Sequence, residues 1–389
     1  MRIVQVCPYD PDRHGGVQRH MHALAGALAA RGHATLIIAP GAGKPSDGGL
    51  WRLGGMRSVA FGGTRFEVTW ASGAELARVA AELRRWRPDV VHFHTPWDPL
   101  MPWQLFRRVG VARVATFHDT PPPGATGAAL RSLFKLLSRY LLARLDGAIA
   151  VSEAPLAHLR PGASGVTPVV LPPVTGLSPF FALDKAPQGE RADVLFLGRL
   201  EPRKGVEVLL EAVSRIAGGQ APLPPGLPRP RFVVAGDGDL RGAVLAMQER
   251  LGQGWIDVIP SPSQTAQLAL LRGARLAVSP ALYGESFGIV LAEALASGTP
   301  AIGADNAGYR TVLTGRGAAL LTPAGDAAAL AEKIIELLAH PELRAELADW
   351  GRSHARQFDV TARIGDFEAF YRDAVARHAT RHPRSKAEG

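Results

Sequence analysis

Short apolar runs alternate with stretches of helical periodicity along the whole 389-residue chain. In the first half, the apolar runs predict buried strands at residues 3–7, 35–39, 90–93, 111–117 and 148–151. Apolar residues that recur every three or four positions predict helices between them, at residues 17–31, 74–86 and 130–145. Such alternation is typical of a parallel sheet that is covered by helices on both faces.

A second series of the same kind starts near residue 193. It predicts strands at residues 194–197, 232–235, 256–259, 276–278 and 301–303, and helices at residues 206–216, 240–251 and 289–296. A Pro- and Gly-rich segment at residues 171–187 lies between the two series. The predicted fold class is therefore α/β, with two doubly wound parallel-sheet domains.

Composition narrows the class of protein. With 47% hydrophobic and 20% charged residues the chain is typical of a globular protein, and a single cysteine, Cys7, excludes an internal disulfide. No apolar stretch approaches the roughly 20 residues of a membrane-spanning helix. The N terminus also lacks the apolar core of a secretory signal. These features predict a cytoplasmic protein.

The net charge of +9 is unevenly distributed. Residues 1–172 hold 20 Lys and Arg against 11 Asp and Glu, whereas the remaining residues hold 24 of each. A basic first half would attract an anionic membrane surface, although an arginine-rich genome explains the same bias equally well. The isoelectric point of about 10.2 is not accompanied by a recognition helix with clustered base-reading residues. No nucleic-acid partner is therefore expected.

Two glycines, Gly15 and Gly16, separate the first predicted strand from the first predicted helix. Glycine lets the backbone approach a ligand closely, and the N terminus of the helix that follows offers free N–H groups to an anion. The pair is therefore a candidate phosphate contact, with a plain turn as the alternative.

Three cations lie in the predicted loop between the first strand and the first helix of the second series. Arg199, Arg203 and Lys204 stand beside the N-terminal end of that helix, where the helix dipole is positive and repels them. An anion with two negative charges, such as a diphosphate, would relieve this repulsion. The alternative is a run of solvated charges.

Two carboxylates, Glu285 and Glu293, flank the start of the predicted helix at residues 289–296. Glu293 stands in a helix that is apolar all round, which indicates burial, and a buried carboxylate needs hydrogen-bond donors. A ribose diol supplies two. Glu285 precedes the helix, where it can reach the sugar of the same ligand. The alternative is a structural pair held by a buried arginine or a cap. Between the two carboxylates lie Phe287, Gly288 and Ile289.

His118 follows the fourth predicted strand, at the sheet edge where doubly wound folds bind ligands. There it is placed to donate to a hydroxyl or to stabilise developing charge, although a lone histidine is as often structural. Further candidates, on the side of an acceptor substrate, are Tyr9, His20, His94 and Asp119. No histidines or cysteines have the spacing of a metal motif, so no metal is expected.

Together these segments resemble glycosyltransferase family 4, whose members have the GT-B architecture of two Rossmann-like domains facing a central cleft. The matching blocks are residues 1–3 with 7–9, 15–18, 115–118, 196–199, 201–205 and 284–293. The resemblance covers nearly the whole chain, and the arginine–lysine block and the Glu-x7-Glu block occur in the family's order. Within the family, the blocks are most similar to phosphatidylinositol mannosyltransferase-type α-glycosyltransferases.

The resemblance implies a retaining, metal-independent glycosyltransferase. Its donor would be a GDP- or UDP-linked sugar, the transferred group a hexose such as mannose or glucose, and the acceptor a lipid or saccharide. No covalent nucleophile and no cofactor are implied. The loop expected to face the base, residues 261–267, lacks the Asp and Lys of the mannosyltransferases, which leaves the base open.

The resemblance also assigns a role to six residues. Gly16, Arg199 and Lys204 would hold the diphosphate of the donor. Glu293 would hold the ribose, and Glu285 with His118 would hold the transferred sugar. His118, Glu285, Arg199 and Lys204 are the expected catalytic residues, and the arginine and lysine would stabilise charge on the leaving group. Gly15, Phe287, Gly288 and Ile289 complete the expected donor site.

The last helix of the family packs back on the first domain, and the same is expected here. The predicted domains are residues 1–172 with 358–378 on the acceptor side, residues 173–357 on the nucleotide-sugar side, and a basic tail at residues 379–389. Family members often carry Asn-Gly-Val-Asp near residues 171–176, where this chain does not, so the interdomain link is expected to differ.

Two alternatives use the same pair of sheets. A nucleotide-sugar epimerase would change its substrate without an acceptor, and a silent protein would bind the nucleotide sugar without transfer. The full set of charged site residues argues against the silent protein. A membrane surface is a further expected partner, because Arg131, Lys135 and Arg139 recur along one predicted helix, although a solvated basic face explains them equally well.

Overall fold

The structure, a computed structural model, describes residues 1–12, 15–41, 49–61, 64–97, 100–121, 124–163, 165–182 and 192–383. The chain forms two compact units: unit 1 comprises Met1–Gly176 and Val360–Gly389, and unit 2 comprises Leu177–Asp359. Each unit contains one parallel sheet with α-helices, so the α/β fold class predicted from the alternating pattern is confirmed.

The boundary between the units differs by a few residues from the expected one at residues 172 and 357. Val174 is fully buried in the core of unit 1, and the carbonyl of Thr175 accepts a hydrogen bond from the N–H of Val360. On the unit 2 side, the N–H of Leu177 donates to the side-chain Oδ2 of Asp359 over 2.8 Å. These two hydrogen bonds fix where the chain leaves unit 1 and where it returns. Of the predicted linker, residues 183–187 lie outside the described ranges.

Unit 1 is built on a seven-stranded parallel sheet and an antiparallel hairpin. Its strands are β1 (Arg2–Val6), β2 (Ala34–Ala39), β3 (Leu50–Arg52), β4 (Gly55–Phe61), β5 (Thr64–Trp70), β6 (Val90–His94), β7 (Ala112–Phe117), β8 (Gly147–Ala150) and β9 (Val169–Val170). Its helices before the boundary are α1 (Gly16–Ala30), α2 (Gly73–Trp86), α3 (Met101–Phe106), α4 (Gly124–Leu142) and α5 (Glu153–Leu156). The sheet order is β3-β2-β1-β6-β7-β8-β9, and β4 pairs with β5.

Unit 2 is built on a six-stranded parallel sheet of order β12-β11-β10-β13-β14-β15. Its strands are β10 (Val194–Leu197), β11 (Phe232–Ala235), β12 (Ile256–Ile259), β13 (Leu276–Ser279), β14 (Ala301–Ala304) and β15 (Leu321–Thr322). Its helices are α6 (Ser178–Phe181), α7 (Val206–Ala217), α8 (Arg241–Leu251), α9 (Gln264–Gly273), α10 (Ile289–Ala296), α11 (Tyr309–Val312), α12 (Ala327–Ala339) and α13 (Pro341–Ala355).

The last helix, α14 (Val360–Arg381), belongs to unit 1. It buries Phe367 and Tyr371 completely in an apolar cluster with residues of β1, β6, β7 and β8. The expected tail at residues 379–389 begins too early, because α14 continues to Arg381, whose Nη1 donates to the carbonyl of Leu145 over 2.7 Å. Residues 384–389 lie outside the described ranges. Among the described helices, none combines the length and the apolar character that crossing a membrane requires.

Both sheets reverse their strand order beside the first strand of the unit. The reversal lies between β1 and β6 in unit 1 and between β10 and β13 in unit 2. In doubly wound sheets, ligands bind in the crevice outside the carboxyl ends of the strands at this point. The predicted site residues follow these strands or, for His118, the adjacent strand β7, so the topology brings together side chains that are far apart in sequence.

The predicted strands are present with small shifts at their ends, but the pattern did not predict β3, β9, β15 or the hairpin of β4 and β5. Three of these strands have only two or three residues and leave no periodicity to detect. The first hairpin segment, β4, does not alternate strictly between apolar and polar residues, and neither segment contains a long apolar run. Their pairing depends on the partner strand rather than on local sequence.

Candidate active site

Gly205 lets two loops of unit 2 pack closely together at the point where the strand order of the sheet reverses. Gly205 ends a 3-10 turn that follows β10 and immediately precedes α7, with φ of +71°. A Cβ at this position would lie 1.9 Å from the carbonyl oxygen of Pro280, in the loop after β13. No side chain fits in that space, so glycine lets the cationic loop at residues 198–205 lie against the loop that carries Glu285.

Five charged side chains form one network in these two loops. Arg199 Nη1 lies 2.7 Å from Glu201 Oε1, and Arg203 Nε lies 3.0 Å from Glu201 Oε2. Arg203 Nη1 lies 3.2 Å and Lys204 Nζ 2.6 Å from Glu285 Oε1. Three cations face two carboxylates, so one positive charge remains uncompensated within the network. Arg199 is its most exposed member, with 36% of the side chain accessible.

The network links residues that were expected to contact different parts of the donor. Lys204 was expected to hold a phosphate and Glu285 a sugar, but in the structure the two side chains bond to each other. Burial raises the pKa of Glu285, but the charges of Lys204 and Arg203 outweigh burial and hold that pKa below its ordinary value. The carboxylate is therefore ionised at neutral pH. Burial and the neighbouring Arg203 lower the pKa of Lys204, against the opposing attraction of Glu285.

Tyr309, in α11, is a member of the site that the sequence did not indicate. Its side chain is buried, and its hydroxyl hydrogen-bonds to Ser279 at the end of β13 and to Glu285. Burial raises the pKa of this phenol, so it stays protonated and can donate to the carboxylate. No sequence motif includes Tyr309. Its contact with Glu285 arises only from folding, which places α11, the helix after β14, beside the loop that carries Glu285.

Glu293 lies in α10, where the surrounding residues are apolar on all sides. Its exposed fraction is 2%, so the burial predicted from the all-round apolar pattern is confirmed. Gly288 forms the N-cap of α10 with φ of +107°, and a Cβ there would lie 2.7 Å from the ring of Tyr309. Ile289 is the first residue of α10 and is half-buried. The helix start is therefore fixed tightly against Tyr309.

The side chain of Phe287, an expected donor-site residue, is buried in the core. Only 4% of the residue is exposed, and its ring packs edge to face with Phe358 at a centroid distance of 5.3 Å. The apolar ring is thus part of the core of unit 2.

A group of histidines occupies the corresponding edge of the sheet in unit 1. His94 ends β6, His118 follows β7, and His20 lies in the second turn of α1. The ring centroids of His94 and His118 are 5.4 Å apart, and each is 5.5 Å from that of His20. A fourth histidine, His92, lies 4.2 Å from His94 by the same measure.

The hydrogen bonds of this group run back into the sheet. His94 Nδ1 lies 3.2 Å from His118 Nε2, and His94 Nε2 lies 2.9 Å from Gln5 Oε1. His92 is bonded to Tyr371 and Thr116, at 2.8 and 2.7 Å. His94 had been expected on the acceptor side, and its side chain is instead enclosed by these hydrogen bonds. It is fully buried, and both of its nitrogens are already bonded, so it lies behind His118.

His20, another candidate for the acceptor side, is also enclosed by the fold. It is fully buried, and its Nδ1 lies 3.0 Å from the N–H and 3.2 Å from the carbonyl of Val174. Its Nε2 has no hydrogen-bond partner in the part of the chain that the structure describes. Burial lowers the pKa of His20 to about 4 and that of His92 to about 3. Burial also holds the pKa of His94 and His118 well below the ordinary value, so all four rings are neutral at pH 7.

The same histidines have the geometry of a metal chelate, which their spacing along the chain did not suggest. One nitrogen from each of His20, His94 and His118 lies within 4.8 Å of the other two. The 3.2 Å between His94 and His118 is close to the separation of about 3.4 Å between two nitrogen ligands of tetrahedral zinc. The three rings come from three elements, so only the fold groups them. They are able to coordinate a zinc-type ion.

The remaining predicted residues surround this edge of unit 1. Tyr9 is half-buried against a small apolar cluster, and Asp119 Oδ2 accepts a hydrogen bond of 3.1 Å from Trp97 Nε1. Gly15 is the N-cap of α1 in an extended conformation, and Gly16 is exposed at the first position of the helix. The N-cap Gly15 provides no side-chain cap, and no acidic residue lies in the first turn of α1. Its N–H groups can therefore receive an anion.

Comparison with known proteins assigns the family. Residues 14–173 match the family model described as Glycosyltransferase Family 4, and residues 182–354 match the model described as Glycosyl transferases group 1. A phosphatidyl-myo-inositol mannosyltransferase from Mycobacterium leprae is 31% identical over 375 residues, which cover 92% of this chain and 93% of that protein. This chain belongs to glycosyltransferase family 4.

Solved structures agree with this family on the fold. The sucrose-phosphate synthase of Thermosynechococcus elongatus superposes on the glycosyltransferase with a TM-score of 0.76 at 22% identity, covering 96% of this chain and 99% of that one. Anabaena Alr3699/HepE in complex with UDP gives a TM-score of 0.68 at 17% identity, covering 95% and 98%. The architecture of this family-4 glycosyltransferase is GT-B.

The glycosyltransferase therefore carries two groups of polar side chains, one in each unit. Unit 2 holds a charged network with one positive charge in excess and a buried carboxylate on the adjacent helix α10. Unit 1 holds neutral histidines at the carboxyl ends of β6 and β7, beside α1, whose N-cap is a glycine. Both groups lie at the strand-order reversal of their own sheet, where this class of fold binds its ligands.

Proposed function

We propose that this glycosyltransferase moves a hexose, mannose or glucose, from a GDP- or UDP-linked sugar to a hydroxyl of a lipid or saccharide acceptor, with retention of configuration. The observation that carries the proposal is the network of Arg199, Glu201, Arg203, Lys204 and Glu285 at the switch point of unit 2. The M. leprae relative, named a phosphatidyl-myo-inositol mannosyltransferase, supports mannose and a lipid acceptor. The Anabaena structure with UDP keeps the uridine donor open.

The excess positive charge explains how the network would bind a diphosphate. A doubly negative group competes with Glu285 for the ammonium of Lys204 and draws in the half-exposed guanidinium of Arg199. Glu285 then loses part of its pairing but keeps the hydrogen bond from Tyr309. The freed carboxylate oxygen is available to accept a hydrogen bond from a hydroxyl of the transferred sugar. Buried Glu293 is proposed to accept from the ribose diol.

The proposed reaction breaks the bond between the anomeric carbon and the diphosphate and forms a bond from the same face to an acceptor oxygen. The proton of the acceptor hydroxyl passes to an oxygen of the departing diphosphate, so no covalent enzyme intermediate is required. Arg199 and Lys204 stabilise the negative charge that develops on the leaving group. His118 is assigned to a hydroxyl of the substrate. No metal ion and no cofactor take part.

The acceptor side of the proposal includes an anionic membrane surface, for which α4 is the best candidate. Leu133, Leu136 and Tyr140 are 46, 66 and 37% exposed and recur at the spacing of one helical stripe. Arg131, Lys135 and Arg139 lie on the same helix. Exposed apolar side chains flanked by cations are typical of helices that lie in a membrane interface.

Vesicle binding tests this surface. Leu136→Glu is expected to weaken co-sedimentation with vesicles that contain phosphatidylserine or phosphatidylinositol, because it places a negative charge in the apolar stripe. Leu245→Glu is the matched control, since Leu245 is 41% exposed on α8 in unit 2. Equal binding by both variants would exclude α4 as the contact.

A thermal-shift screen tests the donor site. UDP, GDP, ADP and their sugar conjugates are added to the intact protein in the presence of EDTA, and one nucleotide is expected to raise Tm. Lys204→Ala and Glu293→Ala are expected to abolish that shift. Lys333→Ala is the control, because Lys333 pairs only with a neighbouring surface glutamate in the described structure. No shift with any nucleotide would contradict the proposed function and favour a silent protein.

A transfer assay follows for the nucleotide that binds. The configuration at the anomeric carbon of the product is read by NMR, and retention is expected. Transfer should require the acceptor, since turnover to a different nucleotide sugar in the absence of acceptor would identify an epimerase. An inverted product would refute the same-face mechanism while leaving the donor site intact.

A further inference from the structure

A chain of three side chains connects the first strand of unit 1 to His118. We propose that Gln5 and His94 are positioning residues that fix His118 with its proton on Nε2, so that Nδ1 accepts a hydrogen bond from a substrate hydroxyl. The inference rests on the proposed function for the contact between His118 and the substrate. It goes further in assigning that histidine as the acceptor of the hydrogen bond, and in naming the residues that impose this role.

The orientation of the Gln5 amide comes first. Gln5 lies in β1 at the centre of the sheet and is fully buried. Its Nε2 lies 3.2 Å from the carbonyl oxygen of Met21 in α1. A carbonyl oxygen only accepts, so the amide nitrogen must face it and donate. The other end of the amide, Oε1, therefore faces His94 as an obligate acceptor.

His94 is determined next. Its Nε2 lies 2.9 Å from Gln5 Oε1, and an amide oxygen can pair only with an N–H, so Nε2 carries the proton. His94 is fully buried, and the groups bonded to its ring are an uncharged amide and another imidazole, so the ring is neutral. A neutral imidazole has a single N–H, which leaves Nδ1 of His94 with a lone pair.

His118 follows by the same rule. Its Nε2 lies 3.2 Å from the lone pair on His94 Nδ1, so Nε2 of His118 must donate. Among the described residues this ring bonds to neutral His94 and to no carboxylate, so it is neutral as well and its Nδ1 is unprotonated. Within the described ranges, no group hydrogen-bonds to that nitrogen. His118 therefore presents an acceptor at Nδ1, whereas the sequence pattern had suggested a donor.

The burial of Gln5 would otherwise be unfavourable. A polar side chain in the central strand of a sheet costs stability unless both ends of its amide are bonded. Met21 and His94 supply both bonds, and a leucine at this position would fill a similar volume without them. The amide of Gln5 is bonded to the first of two linked histidines, and this contact supports the positioning role.

Nitrogen-15 NMR of the histidine rings in the full-length protein tests the tautomer directly, because protonated and unprotonated ring nitrogens resonate far apart. The wild type is expected to show His118 with the proton on Nε2. In Gln5→Leu the acceptor for His94 is lost, so His94 moves its proton to Nδ1 and His118 moves its own to Nδ1. Tyr371→Phe is the control, because it removes a buried hydrogen bond of His92, which is not part of the hydrogen-bonded series from Gln5 through His94 to His118.

The outcomes separate this inference from the proposed function. A wild-type His118 that is protonated on Nδ1, or a tautomer that does not change in Gln5→Leu, would overturn it. The wild-type spectrum decides even if Gln5→Leu does not fold. With the tautomer reversed, kcat for transfer is expected to fall by roughly 10- to 100-fold. Stabilisation by the nucleoside diphosphate alone should be unchanged, because Arg199, Lys204 and Glu293, which are proposed to bind its diphosphate and ribose, lie in unit 2.

Activity completes the test. Unchanged transfer in Gln5→Leu despite a reversed tautomer would overturn the positioning role. The Tyr371→Phe control should lose stability without loss of kcat beyond about twofold. Full transfer by His118→Ala would instead contradict the proposed function of His118. The NMR spectra report only the tautomer, so this failure is distinguishable from a failure of the positioning inference.

Discussion

Gly205→Ala tests most directly whether close contact between two loops holds the charged network of unit 2. The substitution adds a methyl group at a φ of +71° and 1.9 Å from the carbonyl oxygen of Pro280. A left-handed conformation costs an L-residue about 1–2 kcal/mol. Forcing a methyl group into a filled space costs about 1–3 kcal/mol more. The expected loss of unfolding free energy is therefore about 2–5 kcal/mol.

A second glycine of unit 2 separates these two costs. Gly219 also has a φ of +71°, but a Cβ there meets nothing within 4 Å. Gly219→Ala therefore incurs only the conformational cost of about 1–2 kcal/mol. Both variants change the entropy of the unfolded chain in the same way, so that effect cancels in the comparison. The difference of about 1–3 kcal/mol isolates the contact between Gly205 and Pro280.

Differential scanning calorimetry measures both variants. For a domain of this size, 1 kcal/mol corresponds to about 2–4 °C in Tm, so Gly219→Ala is expected to lower Tm by about 2–8 °C and Gly205→Ala by clearly more. Stabilisation by nucleotide should also weaken in Gly205→Ala, because the loop that carries Lys204 must move, and should persist in Gly219→Ala. Equal losses in the two variants, with equal nucleotide response, would refute the reasoning.

Three further predictions follow from named contacts. Hydrogen bonds from Arg31 and His33 lower the pKa of Glu368 to about 2. Glu368→Gln should therefore lose the most unfolding free energy above about pH 5, and this loss should shrink as the pH falls towards 2. Urea denaturation that shows a pH-independent difference between the two proteins would contradict this. Tyr309→Phe removes a donor to Glu285 and should weaken nucleotide-sugar binding by roughly 3- to 10-fold in calorimetric titration, about 1 kcal/mol, whereas unchanged affinity would exclude the contact. Zn²⁺ should inhibit transfer by coordinating the three clustered histidines, EDTA should reverse the inhibition, and EDTA alone should not reduce the rate; insensitivity to Zn²⁺ would argue against that coordination.

The sequence alone was enough to predict the two sheets and the edges where polar residues meet. Apolar runs and helical periodicity report whether a residue is buried on its own element, and that information is local. The burial of Glu293 was predicted for this reason, since its neighbours within one helix are apolar on every side. The cationic loop before α7 was likewise recognised from its place between strand and helix.

The tertiary structure decided which groups meet. Lys204 bonds to Glu285, Phe287 turns into the core, and Tyr309 joins the site from a helix that carries no motif. The tautomer of His118 depends on Gln5, whose amide acts on it only through β1 and β6 pairing side by side. Periodicity does not encode these partners, because a hydrogen bond across a sheet depends on strand order and register, which the whole chain sets together.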